Sequence, residues 1–313
     1  MSNFTGVQVL HVDPEAIEKI YALKTMSFDE LQGYMVSPED AQANGLAVPS
    51  NEWRRSPNMC LVLTAFQDNV KTTAVVRVGH RDDSVWLLKD FSKTPVYDLK
   101  PRNKEQNMLL NTLTDDRIKC QVIVGRAGSG KTICALAYAL QQLFEVKNSR
   151  YERVILTRPM SSVGKEMGAF PGEASEKFTP YLGNFYDNLS QLMGRNGTAF
   201  LETAMHKGKI ELKPIPLIGG SSWHNSIIIA DEVQSLNAEE MYALGTRPAE
   251  GSKLILMGDY RQRYGAKIST EQTGLFKLVN SPITRKSPVI SAIELLKTER
   301  GELTKLFSEV FEG

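Results

Sequence analysis

Residues 125–132 read Gly125-Arg126-Ala127-Gly128-Ser129-Gly130-Lys131-Thr132 and satisfy the spacing Gly-x-x-x-x-Gly-Lys-Ser/Thr. An apolar run, Cys120 to Val124, precedes them, and an Ala- and Leu-rich helical stretch, Thr132 to Phe144, follows. A strand that enters a helix through such a loop is suited to holding phosphate. Glycines let the backbone curl until successive N–H groups converge on one anion, and the helix N-terminus adds partial positive charge. Lys131 is placed to reach the β- and γ-phosphates and the Thr132 hydroxyl to meet Mg²⁺. Gly125, Ala127, Gly128, Ser129, Gly130 and Ile133 supply the remaining expected nucleotide contacts.

A second apolar run, Ile227-Ile228-Ile229-Ala230, ends in two carboxylates, Asp231 and Glu232. On a buried strand next to the phosphate loop, Asp231 would hold the hydrated Mg²⁺. Glu232, directed to the other side, would polarise the attacking water. The pair could instead cap a helix starting near Ser235. A third run, Lys253 to Met257, leads into Gly258-Asp259-Tyr260-Arg261-Gln262. Taken alone this is a Gly-Asp turn; after the two preceding motifs it is similar to the γ-phosphate sensor of superfamily 1 helicases, with Asp259 and Gln262 as the sensing pair. Upstream, Gln106 sits at a helix start, and its amide can donate and accept together, which suits an adenine edge. Asn103-Lys104 continues as Glu105-Gln106 rather than into an Asn-Lys-x-Asp guanine reader, which disfavours a GTPase.

These groups need a frame. From residue 97 onward short apolar runs alternate with helical stretches, the texture of a parallel sheet covered on both faces. The expected class is therefore α/β: a P-loop core built on a parallel sheet over residues 96–313 with a small N-terminal α+β module over 1–95. In that module, residues 11–50 read as short helical pieces, with starts at Asp13-Pro14 and Ser37-Pro38 and a turn at Asn44-Gly45. Residues 60–64, 73–78 and 85–88 read as antiparallel strands. The stretch Ile293 to Phe311 reads as helical segments broken near Gly301.

Composition excludes several classes. The chain has 313 residues, 42% hydrophobic, with 37 Lys plus Arg against 36 Asp plus Glu, which rules out a disordered or low-complexity chain. Its three cysteines, Cys60, Cys120 and Cys134, form no CxxC pair, so a disulfide scaffold or zinc ribbon is not expected and a reducing cytoplasm is. Neither a secretion signal nor a membrane span is expected. Residues 1–95 carry 9 basic and 12 acidic side chains against 28 and 24 for the rest, which is no basic stripe for nucleic acid.

Taken together, these residues resemble the PhoH-like ATPases, in particular the ATPase module of proteins that join a PIN ribonuclease domain to PhoH. The resemblance spans about residues 98–310 and rests on PRNKEQ at 101–106, the phosphate loop, Thr157-Arg158-Pro159, Gly168-Ala169-Phe170-Pro171-Gly172, DEVQ at 231–234, Thr246-Arg247, GDYRQ at 258–262 and Glu299-Arg300-Gly301-Glu302-Leu303. It implies one RecA-like core, Mg²⁺-dependent ATP hydrolysis, assembly into hexameric rings, and work on RNA. Two departures matter. A PIN domain needs roughly 130 residues and only about 95 precede the core, so the nuclease is expected to be absent. The family's Arg-Gly-Arg-Ser/Thr element is replaced by Gly219-Gly220-Ser221-Ser222, which weakens the expected grip on phosphates.

A single core leaves the γ-phosphate open on one side, so the resemblance implies an arginine supplied in trans by the next subunit. Arg247 and Arg300 are the leading candidates, with Arg158 behind them; each could equally be an ordinary salt-bridge arginine. Phe170, Tyr181, Phe185, Tyr186 and Trp223 could stack on bases or simply pack the core. Lys165, Lys177, Arg261, Arg263 and Lys267 could follow a phosphate backbone or form a solvated face. The leading expectation is an ATPase that translocates on or remodels single-stranded RNA or DNA. The alternative is an ATP-driven protein-remodelling or switch module that docks partners through residues 1–95. A small-molecule kinase is disfavoured, because Glu232 beside Asp231 suits a water nucleophile.

Overall fold

The computed structural model describes residues 8–37, 40, 56–68, 70–80, 83–159, 183–215, 218, 220–260, 269–298, 306 and 310. The N-terminal part forms β1 (Gln8–His11), α1 (Pro14–Leu23), β2 (Thr25–Ser27), α2 (Phe28–Gly33), β3 (Cys60–Gln67), β4 (Val70–Val78) and β5 (Ser84–Leu87). They make a five-stranded sheet in the order β1-β3-β4-β5-β2, antiparallel except where β1 runs parallel to β3. α1 starts as expected: the Asp13 side chain accepts from Glu15 N at 2.9 Å and Pro14 fills the first turn. Ser37 makes a similar local bond, its hydroxyl accepting from Asp40 N at 3.0 Å; Pro38 and Asn44-Gly45 lie outside the described residues. The helical reading of residues 11–50 missed β2, and β1, almost entirely upstream of that range, had no assignment. Strands of four and three residues are too short to show a period, and both are held by pairing with distant partners.

The larger part contributes α3 (Lys104–Leu113), β6 (Cys120–Gly125), α4 (Lys131–Phe144), β7 (Arg153–Thr157), α5 (Gly183–Met193), α6 (Gly197–His206) and β8 (Ile210–Leu212). It continues with β9 (Ser226–Ala230), α7 (Ala238–Gly245), β10 (Lys253–Gly258), α8 (Gly274–Asn280), α9 (Pro282–Lys286) and β11 (Ile290–Leu295). Six parallel strands run in the order β11-β6-β10-β9-β7-β8. Alternate residues enter opposite apolar layers. Ile227 and Ile229 join the layer of α3, α4, α5 and α6, whereas Ile228 and Ala230 join that of α7 and α8. Burial on both faces is why these strands read as continuous apolar runs.

Two expectations are corrected. Ile293 to Leu295 are not helical but belong to β11, which pairs along the outer edge of β6 and brings Leu295 opposite Gly125. The strand ending at Asp231 is not next to the phosphate-loop strand; β10 lies between β9 and β6. The connection leaving β6 crosses to β7 on one side and the one leaving β10 crosses to β11 on the other, so the carboxyl ends of β6, β10 and β9 frame a crevice at this switch point.

The N-terminal sheet packs onto this core. Cys60 and Val62 share an apolar layer with Met108, Leu109 and Leu113 of α3. Arg77 Nη2 donates to Asp115 Oδ2 at 2.5 Å with both side chains only 9% exposed, and Asn58 Nδ2 donates to the carbonyls of Pro288 and Ile290 at 2.8 and 3.1 Å.

Candidate nucleotide-binding site

The loop between β6 and α4 has the shape its glycines permit. Gly128 and Gly130 have φ of 78° and 93°, in the left-handed region that residues with a Cβ avoid. A Cβ on Gly125 would fall 2.8 Å from Leu295 O, so β11 also needs that glycine. Gly130 opens α4 with no side-chain cap, which leaves first-turn N–H groups for an anion. Lys131 folds over the loop, donating to Gly125 O and Arg126 O at 2.5 and 3.0 Å. Ser129 is fully buried beneath it.

A cleft of about 520 Å³ opens at the carboxyl ends of the strands. Ala127, Gly128, Gly130, Lys131, Thr132 and Ile133 line it from the loop and α4, Asp231 and Glu232 from the tip of β9, Asp259 from β10, and Gln106 from α3. Gln106 does more there than face the cleft. It is 4% exposed. Its Oε1 accepts from Arg102 N at 2.9 Å and its Nε2 donates to Ser129 O at 3.0 Å, so the amide braces the phosphate loop.

Asp231 is 2% exposed. Burial pushes its carboxyl up from the ordinary value, as does Glu232, while Lys131 and Arg158 pull the other way. Glu232 adopts φ 58°, ψ 31°, a strained conformation for a residue with a side chain. Its carboxylate accepts from Gln234 Nε2 at 2.6 Å, and Gln234 Oε1 accepts from Asp259 N at 3.2 Å. Gln234, 2% exposed, thus ties the tips of β9 and β10 together. The helix-cap reading of Asp231 and Glu232 fails. A single 3-10 turn, Val233–Ser235, follows them, and α7 is capped by Asn237 and Glu240 instead.

Thr132 and Asp231 lie close enough to share one donor: Asn184 Nδ2 donates to Asp231 Oδ2 at 2.9 Å and lies 3.4 Å from Thr132 Oγ1. A hydroxyl and a buried carboxylate converging on one point fit a hard divalent cation that keeps most of its waters.

Other predicted residues stand elsewhere. Arg247 is outside the cleft, at the end of α7 near the amino end of β9. Its guanidinium bonds Ala243 O, Ser221 O and Thr246 Oγ1 at 3.0 to 3.2 Å. Arg158 does line the cleft. Phe185 and Trp223 are core residues, 0% and 1% exposed, rather than stacking platforms, and Tyr186 packs partly buried against the core. Gln262, Arg300, Phe170, Tyr181, Lys165, Lys177, Arg261, Arg263 and Lys267 lie outside the described residues. Sequence reasoning missed Asn184, Asn188 and Gln191 on α5 and gave Gln234 no role. Only Gln234 carried a signal, its place in DEVQ.

A parallel sheet flanked by helices, with a glycine loop facing paired carboxylates, defines a RecA-like P-loop core. Residues 98–312 match the family model for PhoH-like protein, and the chain belongs to that family. Protein PhoH2 of Bacillus subtilis (strain 168) is 33% identical over 236 residues, 74% of this chain and 52% of that protein. Protein PhoH2 of Mycolicibacterium smegmatis is 29% identical over 218 residues, 69% and 48% of the two chains. A PhoH-like protein of Bacillus subtilis is 37% identical over 139 residues, 44% and 42% of the two. The chain spans about half the length of these curated relatives. No described helix is long and apolar enough to cross a membrane.

Proposed function

We propose that this chain is a Mg²⁺-dependent ATP hydrolase of the PhoH type that works as a ring, a hexamer by family resemblance, on single-stranded RNA or DNA. The observation that carries the hydrolase reading is the convergence of the uncapped α4 N-terminus, Lys131, Thr132 and Asp231 on one side of the cleft with Glu232 beside them. Gly128, Gly130 and the α4 N–H groups cradle phosphate, and Lys131 exchanges its two carbonyl bonds for phosphate oxygens. Thr132 and Asp231 would hold Mg²⁺, which would supply neutralising charge at the phosphates. Glu232 orients water and takes its proton, while the bond from Gln234 to Oε2 holds the carboxylate in position. Asp259, linked to the same Gln234, reports on the terminal phosphate.

An arginine supplied in trans by a neighbouring subunit would close the open side of the terminal phosphate. Arg247 could serve a neighbouring subunit only by giving up three local bonds, which moves weight to Arg300 and Arg158. A specific observation favours the protein-remodelling alternative. The acidic N-terminal sheet is clamped to the core through Arg77 and Asn58, so a partner docked on residues 1–95 would be mechanically connected to the ATPase.

The test is ATP turnover with single-stranded RNA, single-stranded DNA or no polymer, across a salt series. Stimulation that falls steeply with salt is expected of the nucleic-acid motor, and a flat response removes it in favour of a protein partner.

A further inference from the structure

Asn184 belongs to none of the motifs that define the site, yet it touches both side chains assigned to the cation. Its orientation follows from chemistry. A buried ionised carboxylate only accepts hydrogen bonds, so the amide must present its N–H₂ to Asp231, and the same nitrogen lies 3.4 Å from Thr132 Oγ1. The other end of the amide is held as well: Asn188 Nδ2 donates to Asn184 Oδ1 at 2.9 Å and to Asn184 O at 2.6 Å. Residues four apart share one helix face, and on α5 that face lines the cleft.

We propose that Asn184 is a built-in occupant of the cation position, so that Mg²⁺ enters only when this amide swings away or turns over. The inference rests on the metal-nucleotide reading above. Between Thr132 and Asp231 the amide nitrogen supplies the electropositive contact that a cation would otherwise make. The waters around Mg²⁺ are hydrogen-bond donors and need acceptors, whereas Asn184 offers Asp231 and Thr132 a donor. A cation or donor water bridging the same two oxygens would fall against this N–H₂, which already lies between them, and presenting Oδ1 instead breaks the bond from Asn188. Asn184 therefore acts as a positioning residue: it satisfies Asp231 in the empty state, and metal entry is transmitted to α5 through it. Asn188 sets how firmly the amide is kept in place.

Mn²⁺ is the probe, with free Mn²⁺ followed by electron paramagnetic resonance in titrations of the full chain at saturating ADP. Asn184→Ala is expected to tighten Mn²⁺ binding roughly ten-fold, the scale of one hydrogen bond to a charged group. Asn188→Ala, which leaves Asn184 in place but frees it to turn, is expected to tighten it by a smaller factor. Because Asn184 is exposed on the cleft side of α5, its truncation spares the core, and the Asn188 variant provides an independent reading. Unchanged or weaker Mn²⁺ binding in Asn184→Ala, with wild-type protein binding normally, overturns this inference alone; weakening would make Asn184 a supporter of the metal rather than its competitor. Failure of the wild type to bind Mn²⁺ with ADP overturns the metal-nucleotide reading and this inference together.

Discussion

The two ends of the parallel sheet treat charge in opposite ways. At the amino end Lys253, Asp115 and Arg77 are closed off by protein. Lys253, fully buried at the start of β10, donates to the carbonyls of Leu113 and Asp115 at the end of α3 and lies over the Tyr138 ring. Asp115 in turn binds Arg77 and Arg117. At the carboxyl end the polar groups hold one another provisionally. Lys131 rests on its own loop, Asn184 stands between Thr132 and Asp231, and Gln234 holds Glu232 in a left-handed turn. One end is built for stability and the other for exchange of partners. Each bond at the carboxyl end has a ligand group that could replace it; none of the bonds at the amino end needs one.

That contrast predicts that mutations of the cleft-lining residues at the carboxyl end change function with little loss of stability, and those at the amino end the reverse. The largest effect is expected at Glu232. Glu232→Gln should lower ATP turnover by about 10² to 10⁴-fold while ATP binding persists, as read by steady-state kinetics and nucleotide titration. Hydrolysis at the wild-type rate would remove Glu232 from the role of base. Lys131→Ala should instead weaken binding of ATP itself.

At the other end, Arg77→Ala leaves Asp115 partly paired, by Arg117 alone, at a buried seam. It should cost about 3 kcal/mol in denaturant unfolding without altering affinity for ADP. Equal losses of stability and nucleotide affinity would break the distinction between the two ends.

A further effect concerns pH. Burial lowers Lys253 to about 7, an effect that Asp116 and Asp115 only partly offset. Its folded-state value lies below the unfolded one near 10.4, so between those values the unfolded chain binds more protons and stability rises with pH. The penalty is complete below pH 7 and vanishes near pH 10 to 11. Thermal unfolding of Lys253→Met should lack this rise; an identical slope in both proteins would place its origin elsewhere. The smallest effect is at Asn237, whose side chain accepts from Glu239 N and Glu240 N, both at 2.9 Å. Asn237→Ala should cost about 1 kcal/mol and leave turnover unchanged.

How much of this was legible follows from the range of the forces involved. The phosphate loop, β9 with Asp231 and Glu232, and β10 with Asp259 are local: each is a short apolar run ending in a few polar residues, and the order of types carries the chemistry. The end of β11, Ile293 to Leu295, reads as helix because Ile290–Leu295 becomes a strand only by pairing with β6, more than 160 residues away. β1 depends in the same way on β3. Gln106 was recognised but its work was not, because its grip on Ser129 O links two segments 23 residues apart.

By itself the sequence determined the presence of a phosphate cradle, the carboxylate pair and the alternating α/β frame, because glycine content, charge and apolar runs are properties of contiguous residues. Tertiary structure alone decided that β10 separates β9 from β6, that Gln234 ties Glu232 to Asp259, and that Asn184 stands between Thr132 and Asp231. Those are relations between side chains from separate segments. They exist only once burial of both sheet faces has fixed the strand order and brought the segments within hydrogen-bonding distance.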